Sequence, residues 1–175
     1  SIVQTYAPNL DLSRDPRWGR VEENYGEDPF LTARLGVAYV RALQAQGVAA
    51  SPKHYCAHGT PEGGINLGPV HAGERELREL YLPPFAAAIR EGGALSLMPA
   101  YSELDGVPLH ASRFLLTDIL RGELGFEGFT VSDFGAVQML HSFHRVAANP
   151  LEAGRQALGA GIDMEAPNRF GFGDE

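Results

Sequence analysis

Residues Glu74–Tyr101 read ERELRELYLPPFAAAIREGGALSLMPAY. In the first part, Leu77, Leu80, Tyr81, Phe85, Ala88 and Ile89 recur at three- and four-residue steps, and Glu74, Glu76 and Glu79 crowd the opening turns. That period places the apolar side chains on one helical face, and acids near a helix N-terminus favour its dipole. Pro83-Pro84 removes two backbone donors and is predicted to kink or divide the helix. The run Ala94–Tyr101 that follows is short and apolar, the pattern of a buried strand. A helix leading into such a strand is one step of a parallel βαβ unit.

The same alternation extends in both directions. Strands are expected at roughly Val3 to Leu10, Val48 to Tyr55, Ala94 to Tyr101, Gly128 to Phe134 and Ile162 to Ala166. A helix is predicted from Pro29 to Gln46, with Leu31, Leu35, Ala38, Tyr39 and Ala42 on the face expected to pack on the sheet and Gly47 as its stop. Ser112 reads as the N-cap of a helix ending near Gly125, and a last helix covers Pro150 to Gly159. The fold class is therefore α/β, a partial TIM-like (β/α) barrel. A closed eight-stranded barrel typically takes about 250 residues, and this chain has 175, so about five of the eight strands are expected. The start in a strand-like run after Ser1 and the close in Gly171-Phe172-Gly173 read as an internal piece of a longer protein, a single incomplete domain over residues 1–175.

Composition narrows the ligands. The formal net charge is −8, with 14 basic against 22 acidic side chains, and no Lys/Arg-rich run stands out, so nucleic acid is not an expected partner. No stretch approaches a membrane-spanning length of apolar residues, and no membrane partner is expected. The single cysteine, Cys56, excludes an internal disulfide and a thiol-pair zinc site. No Gly-rich phosphate loop follows the first strand, where Arg14–Arg20 stands instead, so a Rossmann or P-loop nucleotide binder fails on motif.

Polar, Gly-rich segments at Arg14–Asp28, Ala57–Gly73 and Ser102–Ala111 follow the first three strands, at the edge where parallel α/β folds bind ligands. Arg14-Asp15-Pro16-Arg17-Trp18-Gly19-Arg20 reads either as a guanidinium cluster for hydroxyl or carboxylate ligands or as a loop stapled through Asp15 and Glu22 or Glu23. Lys53-His54 ends the second strand. In a regular pleat its two side chains point to opposite faces, so both reach one pocket only where the pleat relaxes; the structural alternative bonds Lys53 to a core carboxylate and His54 to a backbone carbonyl. Tyr101 is a pocket or an edge aromatic. Asp133 closes the apolar strand Thr130-Val131-Ser132, where a carboxylate costs desolvation unless cations such as Arg20, Lys53 and His54 meet it. Kept ionised, it suits a nucleophile. A metal at His54, His58 and Asp133 has no supporting ligand spacing, and Cys56 reads as packing. Asp163 and Glu165 either line the same mouth or bond loop backbone.

The ordered motifs Arg-Asp-Pro-Arg-Trp-Gly-Arg, Glu-Asp-Pro, Lys-His, Gly-Glu-Arg-Glu-Leu-Arg-Glu, Ala-Tyr, Asp-Gly-Val-Pro, Leu-Arg-Gly-Glu-Leu-Gly-Phe, Val-Ser-Asp and Ala-Gly-Ile-Asp-Met-Glu run from Asn9 to Pro167. This series resembles the N-terminal barrel of glycoside hydrolase family 3, the β-glucosidase and β-xylosidase group. The resemblance implies a retaining exo-acting β-glycosidase without metal or organic cofactor. Asp133 would be its catalytic nucleophile, and Arg20, Lys53, His54 and Tyr101 its sugar-binding residues. It also implies a terminal β-linked glucose-type substrate, with β-xylosidase or a non-catalytic carbohydrate-binding module as the alternatives. A retaining glycosidase needs a second carboxyl about 5 to 5.5 Å from the first; in the family this Glu comes from a following α/β domain, and nothing in the chain matches it. The fragment alone is expected to be nearly inactive. Where the family often carries an Arg, this chain reads Gly63-Gly64-Ile65-Asn66, and the Asp-Ser-His motif of the β-N-acetylhexosaminidase branch is missing from Thr60–Asn66.

Overall fold

Two parallel strand pairs form the wall of the molecule. In the computed structural model, which describes residues 2–173, β1 (Gln4–Thr5) pairs with β2 (Ala49–Ala50), and β3 (Ser96–Leu97) pairs with β6 (Phe129–Thr130). Backbone bonds from Met98 to Pro52 and from Tyr55 to Met98 join the second segment to the third. Single parallel bridges add Asn9 to Lys53, Tyr55 to Pro99 and Val131 to Met164. Each expected strand thus lies beside the next in chain order, an α/β arrangement consistent with part of a (β/α) barrel.

The regular strands are much shorter than expected, and the fifth, Ile162 to Ala166, forms a single bridge at Met164, with further backbone bonds from Asp163 N to Thr130 O and from Gly135 N to Ala166 O. Pro8, Pro52 and Pro99 lie inside the first three predicted strands. Proline has no N–H to give a ladder, so the regular ladder breaks around each one and continues as the isolated bridges Asn9–Lys53 and Tyr55–Pro99, with Pro8 O and Pro52 O accepting from Lys53 N and Met98 N. The short antiparallel pair β4 (Glu103–Leu104) and β5 (Val107–Pro108) turns through Asp105-Gly106, both at positive φ (49° and 85°), the two-residue hairpin geometry that Asp-Gly favours.

Helices cover the wall. α1 (Pro29–Gln44) starts on Asp28, whose carboxylate accepts from Leu31 N, and ends, two residues short of the expected Gln46, with Ala45 as its C-cap, before the turn at Gly47 with φ +79°. The Glu74–Glu91 segment is divided as its prolines predict: α2 (Glu74–Glu76), a π-helical turn over Leu77–Tyr81, then α3 (Pro83–Arg90). Ser112 Oγ accepts from Leu115 N at the start of the π-helical segment Phe114–Glu123. α5 (Pro150–Ala160) is capped by Asn149, and a further helix that the periodicity reading did not place, α4 (Ala136–Ser142), follows Asp133.

One helix face differs from expectation. The residues of α1 that pack inward are Thr32, Ala33, Gly36, Val37 and Val40, while Leu31, Leu35 and Tyr39 are exposed. Both stripes are apolar, and the smaller one wins because it lets the helix sit close to the wall: a Cβ at Gly36 would lie 2.6 Å from Leu10 Cδ2. On its other flank α1 docks against α3, with Arg34 paired to Glu91 at 2.6 Å and Arg41 Nε donating to Glu91 O. The exposed stripe therefore lies on the side of α1 away from α3. Among the described residues no helix is long and apolar enough to cross a membrane.

Candidate active site

Asp133 stands where the fourth wall segment ends, and three hydrogen bonds fix its place. Its backbone N–H donates to His110 Nε2 (3.1 Å), its Oδ1 accepts from Phe134 N (2.8 Å), and its carbonyl accepts from Ala136 N as α4 begins. His110 Nδ1–H in turn donates to Ala100 O (3.0 Å), which ties the ends of the third and fourth segments together. Asp133 Oδ2 is buried and has no hydrogen-bond partner.

Arg20, Lys53, His54, Tyr101 and Asp133 all line one cavity of about 240 Å³, and Tyr6, Met98 and Phe134 complete its wall. The volume falls below the ~300–1,000 Å³ of pockets for drug-sized ligands and fits one small polar ring. A larger cavity, about 580 Å³, lies between α3 and Phe114–Glu123 on the helical exterior. Its Arg78 is held by Glu123 and its Arg90 by Glu123 O, so it offers no unpaired acid or nucleophile.

The five side chains reach the cavity from four segments. Lys53 and His54 share it although they are neighbours in sequence; the peptide between them is cis. The structural alternatives for the pair do not hold. No described carboxylate forms an ion pair with Lys53, and His54 bonds a carboxylate rather than a carbonyl, with Nδ1 at 2.7 Å from Asp11 Oδ2. His54 Nε2 lies 3.5 Å from Asp133 Oδ2 and 3.3 Å from Arg20 Nη2. Arg20 precedes the short helical turn Val21–Glu23, and the loop is stapled as its acids allow, Arg17 to Asp15 and Arg20 to Glu23, while of its arginines only Arg20 lines the cavity. Its Nη1 contacts His58 Nε2 at 3.1 Å, and its guanidinium lies 5.7 Å from the Trp18 ring. Tyr101 Oη donates to Phe134 O at 3.0 Å.

Electrostatics follow from burial. Burial opposes the charge on Asp11, yet its interaction with His54 outweighs that cost and holds its pKa below the usual value. Burial pushes His58 and His110 down to about 4, so both rings are neutral at pH 7. Burial and then the nearby Asp133 charge push the Tyr101 hydroxyl up. Glu23 is held at about 2, chiefly by its hydrogen bonds from Arg20.

The remaining candidates play other parts. Cys56 is buried, and burial raises its thiol pKa, which suits packing. Glu165 accepts from the N–H groups of Phe170, Gly171 and Phe172, and Asp163 binds Thr130 N and Arg121, so both acids serve loop backbone and surface pairing. Arg20 already donates to Nε2 of both His54 and His58, which occupies the lone pairs a metal would need. The periodicity and motif reading passed over Asp11 and His110. For Asp11 the signal was present, an acid between Leu10 and Leu12 in an apolar run, the same oddity that marked Asp133; His110 carried none.

Fold and site together define an α/β domain with a carboxylate-centred polar pocket at the ends of its parallel wall segments. The chain belongs to glycoside hydrolase family 3: the model of the glycosyl hydrolase family 3 N terminal domain matches residues 1–169. It is 47% identical over 173 residues to a beta-xylosidase of Formosa agariphila, covering 94% of this chain and 24% of that one. It is 41% identical to a periplasmic beta-glucosidase of Salmonella typhimurium, covering 97% and 23%. Among solved structures it superposes on a beta-glucosidase from Erythrobacter marinus with a TM-score of 0.91 at 44% identity, covering 93% and 23%. The chain thus spans about a quarter of the length of these relatives.

Proposed function

We propose that this chain is the nucleophile-bearing part of a retaining exo-acting β-glycosidase that releases terminal β-linked glucose-type residues. Asp133 attacks the anomeric carbon and holds the sugar as a covalent glycosyl ester. Arg20 and Lys53 donate to the sugar hydroxyls, His54 borders the sugar between them, and Tyr101 supports the ring beside the nucleophile. The observation that carries this reading is Asp133 Oδ2, a buried carboxylate oxygen with no donor, facing a cavity of single-ring size between three basic side chains. Leaving-group protonation requires a second carboxyl about 5 to 5.5 Å away. We assign it to a part of the longer protein outside these 175 residues, in keeping with the quarter-length match.

A second reading, β-xylosidase, is favoured by one finding, the 47% identity to a beta-xylosidase against 41% to a beta-glucosidase. The test is intact-mass analysis and peptide mapping of the full-length protein after incubation with 2-deoxy-2-fluoro-β-glucosyl and β-xylosyl donors whose leaving groups need no protonation. An adduct on the Asp133 peptide is expected, formed faster from the glucosyl donor. Faster labelling by the xylosyl donor selects the second reading. Sugar binding without any adduct, unchanged in Asp133→Ala, selects a non-catalytic carbohydrate-binding module.

A further inference from the structure

We propose that Asp11 is a positioning residue: together with Arg20 it holds His54 with its ring proton on Nδ1, and so leaves Asp133 Oδ2 free of donors as the attacking oxygen. The proposal rests on the reading of Asp133 as nucleophile. Three contacts carry it. Asp11 receives two hydrogen bonds from the same residue, from His54 Nδ1 into Oδ2 at 2.7 Å and from His54 N into Oδ1 at 3.3 Å. Its side chain is fully buried, as is that of His54, so no water replaces either bond. On the far side of the ring, Arg20 Nη2 lies 3.3 Å from Nε2.

A guanidinium has only donors, so Nε2 must accept from it, and the ring proton must be on Nδ1, where Asp11 takes it. Asp133 Oδ2 is 3.5 Å from that same Nε2. With the proton on Nδ1, His54 has nothing to give this oxygen, and Oδ2 stays unpartnered while Oδ1 is held by Phe134 N. With a proton on Nε2, His54 would compete for the lone pair that must form the bond to the sugar, and would face the N–H of Arg20. The two carboxylate oxygens of Asp133 thereby take separate roles, Oδ1 fixing orientation and Oδ2 attacking. A carboxylate is required at residue 11 because both of its oxygens accept; the isosteric amide has one acceptor, so Asn there gives up the backbone bond or donates to Nδ1 and drives the proton to Nε2.

The experiment has two arms, both on the full-length protein. Neutron diffraction locates the deuteron on His54, and trapping with the 2-deoxy-2-fluoro-β-glucosyl donor gives the first-order rate constant and the apparent affinity for wild type and Asp11→Asn. The expected result is a deuteron on Nδ1 alone, with the trapping rate constant ~10- to 100-fold lower in Asp11→Asn and the donor's apparent affinity changed less than the rate. A deuteron on Nε2, or on both nitrogens, overturns the proposal, and so does labelling of Asp11→Asn at the wild-type rate. If that variant fails to fold, the wild-type deuteron position decides alone. A wild-type protein that never forms an adduct at Asp133 sinks the nucleophile reading as well, whereas an adduct with the wrong tautomer sinks this proposal only.

Discussion

Glu23 grips Arg20 through both of its carboxylate oxygens, each at 2.7 Å. Counting the contacts to His54 and His58, only one of the five N–H groups of a guanidinium is left for a ligand, on Nη1. Arg20 thus has a single donor to offer a ligand, held in place by Glu23. In the full-length protein, Glu23→Gln is expected to raise KM for an aryl β-glucoside by up to about fivefold, the ~1 kcal/mol ceiling of a partly exposed ion pair, with kcat nearly unchanged. Steady-state kinetics checks this; a fall in kcat with constant KM contradicts it.

Acid should destabilise the domain in a defined window. His58 and His110 have folded pKa values near 4 against an ordinary 6.5. Between those values the unfolded chain binds protons that the folded one does not, so stability is present above pH 6.5 and lost as pH falls toward 4. The limiting slope is about 1.4 kcal/mol per pH unit for each ring. Glu23, held near 2 from 4.5, extends the loss below pH 4.5. Urea unfolding followed by the fluorescence of the buried Trp18, at pH 7, 6 and 5, tests the upper window. A flat profile there would show that the two rings are not buried neutral.

At the alkaline end the sign reverses. The buried Cys56 thiol has its pKa raised by burial from the ordinary 9, so above pH 9 the unfolded chain loses a proton that the folded one keeps, and stability falls as pH rises. Cys56→Ala is expected to flatten that fall between pH 9 and 10 and to cost about 1 kcal/mol of packing at pH 7. Folded protein should also resist alkylation by iodoacetamide, read as intact mass, and prompt modification would contradict the burial.

The 175-residue chain on its own is expected to self-associate through the exposed stripe of Leu31, Leu35 and Tyr39 and the outer edge near Ile2 and Val3. Leu35→Lys, on that stripe, should lower the association measured by analytical ultracentrifugation without lowering the Tm. A strictly monomeric sample with a sharp two-state transition would contradict this.

Much of the architecture was legible because the signals were local. Helix–strand alternation, the positive φ at Gly47, the Ser112 cap and the division at Pro83-Pro84 each follow from a residue type at a position, and the five residues drawn from four motifs do meet in one cavity. Two things were not legible. Period alone does not choose between the two apolar stripes of α1, since the choice depends on Leu10 filling the space over Gly36, a contact between distant residues. Strand length was overestimated because an apolar run does not reveal which of its members lack a partner across the ladder. Asp11 does carry a local signal, an acid between Leu10 and Leu12, but the partner that gives it a role, His54, is more than forty residues away.

The prolines at 8, 52 and 99 separate a wall with fixed register from a rim that carries the reactive side chains. Residues beyond each proline still bond the neighbouring segment, Leu10 N to Lys53 O and Ala100 N to Tyr55 O, but as isolated bridges and not as a regular ladder, so their side chains are not bound to alternate in and out. Side chains of the rim can therefore be varied while the paired residues of β1 with β2 and of β3 with β6 keep the wall's register.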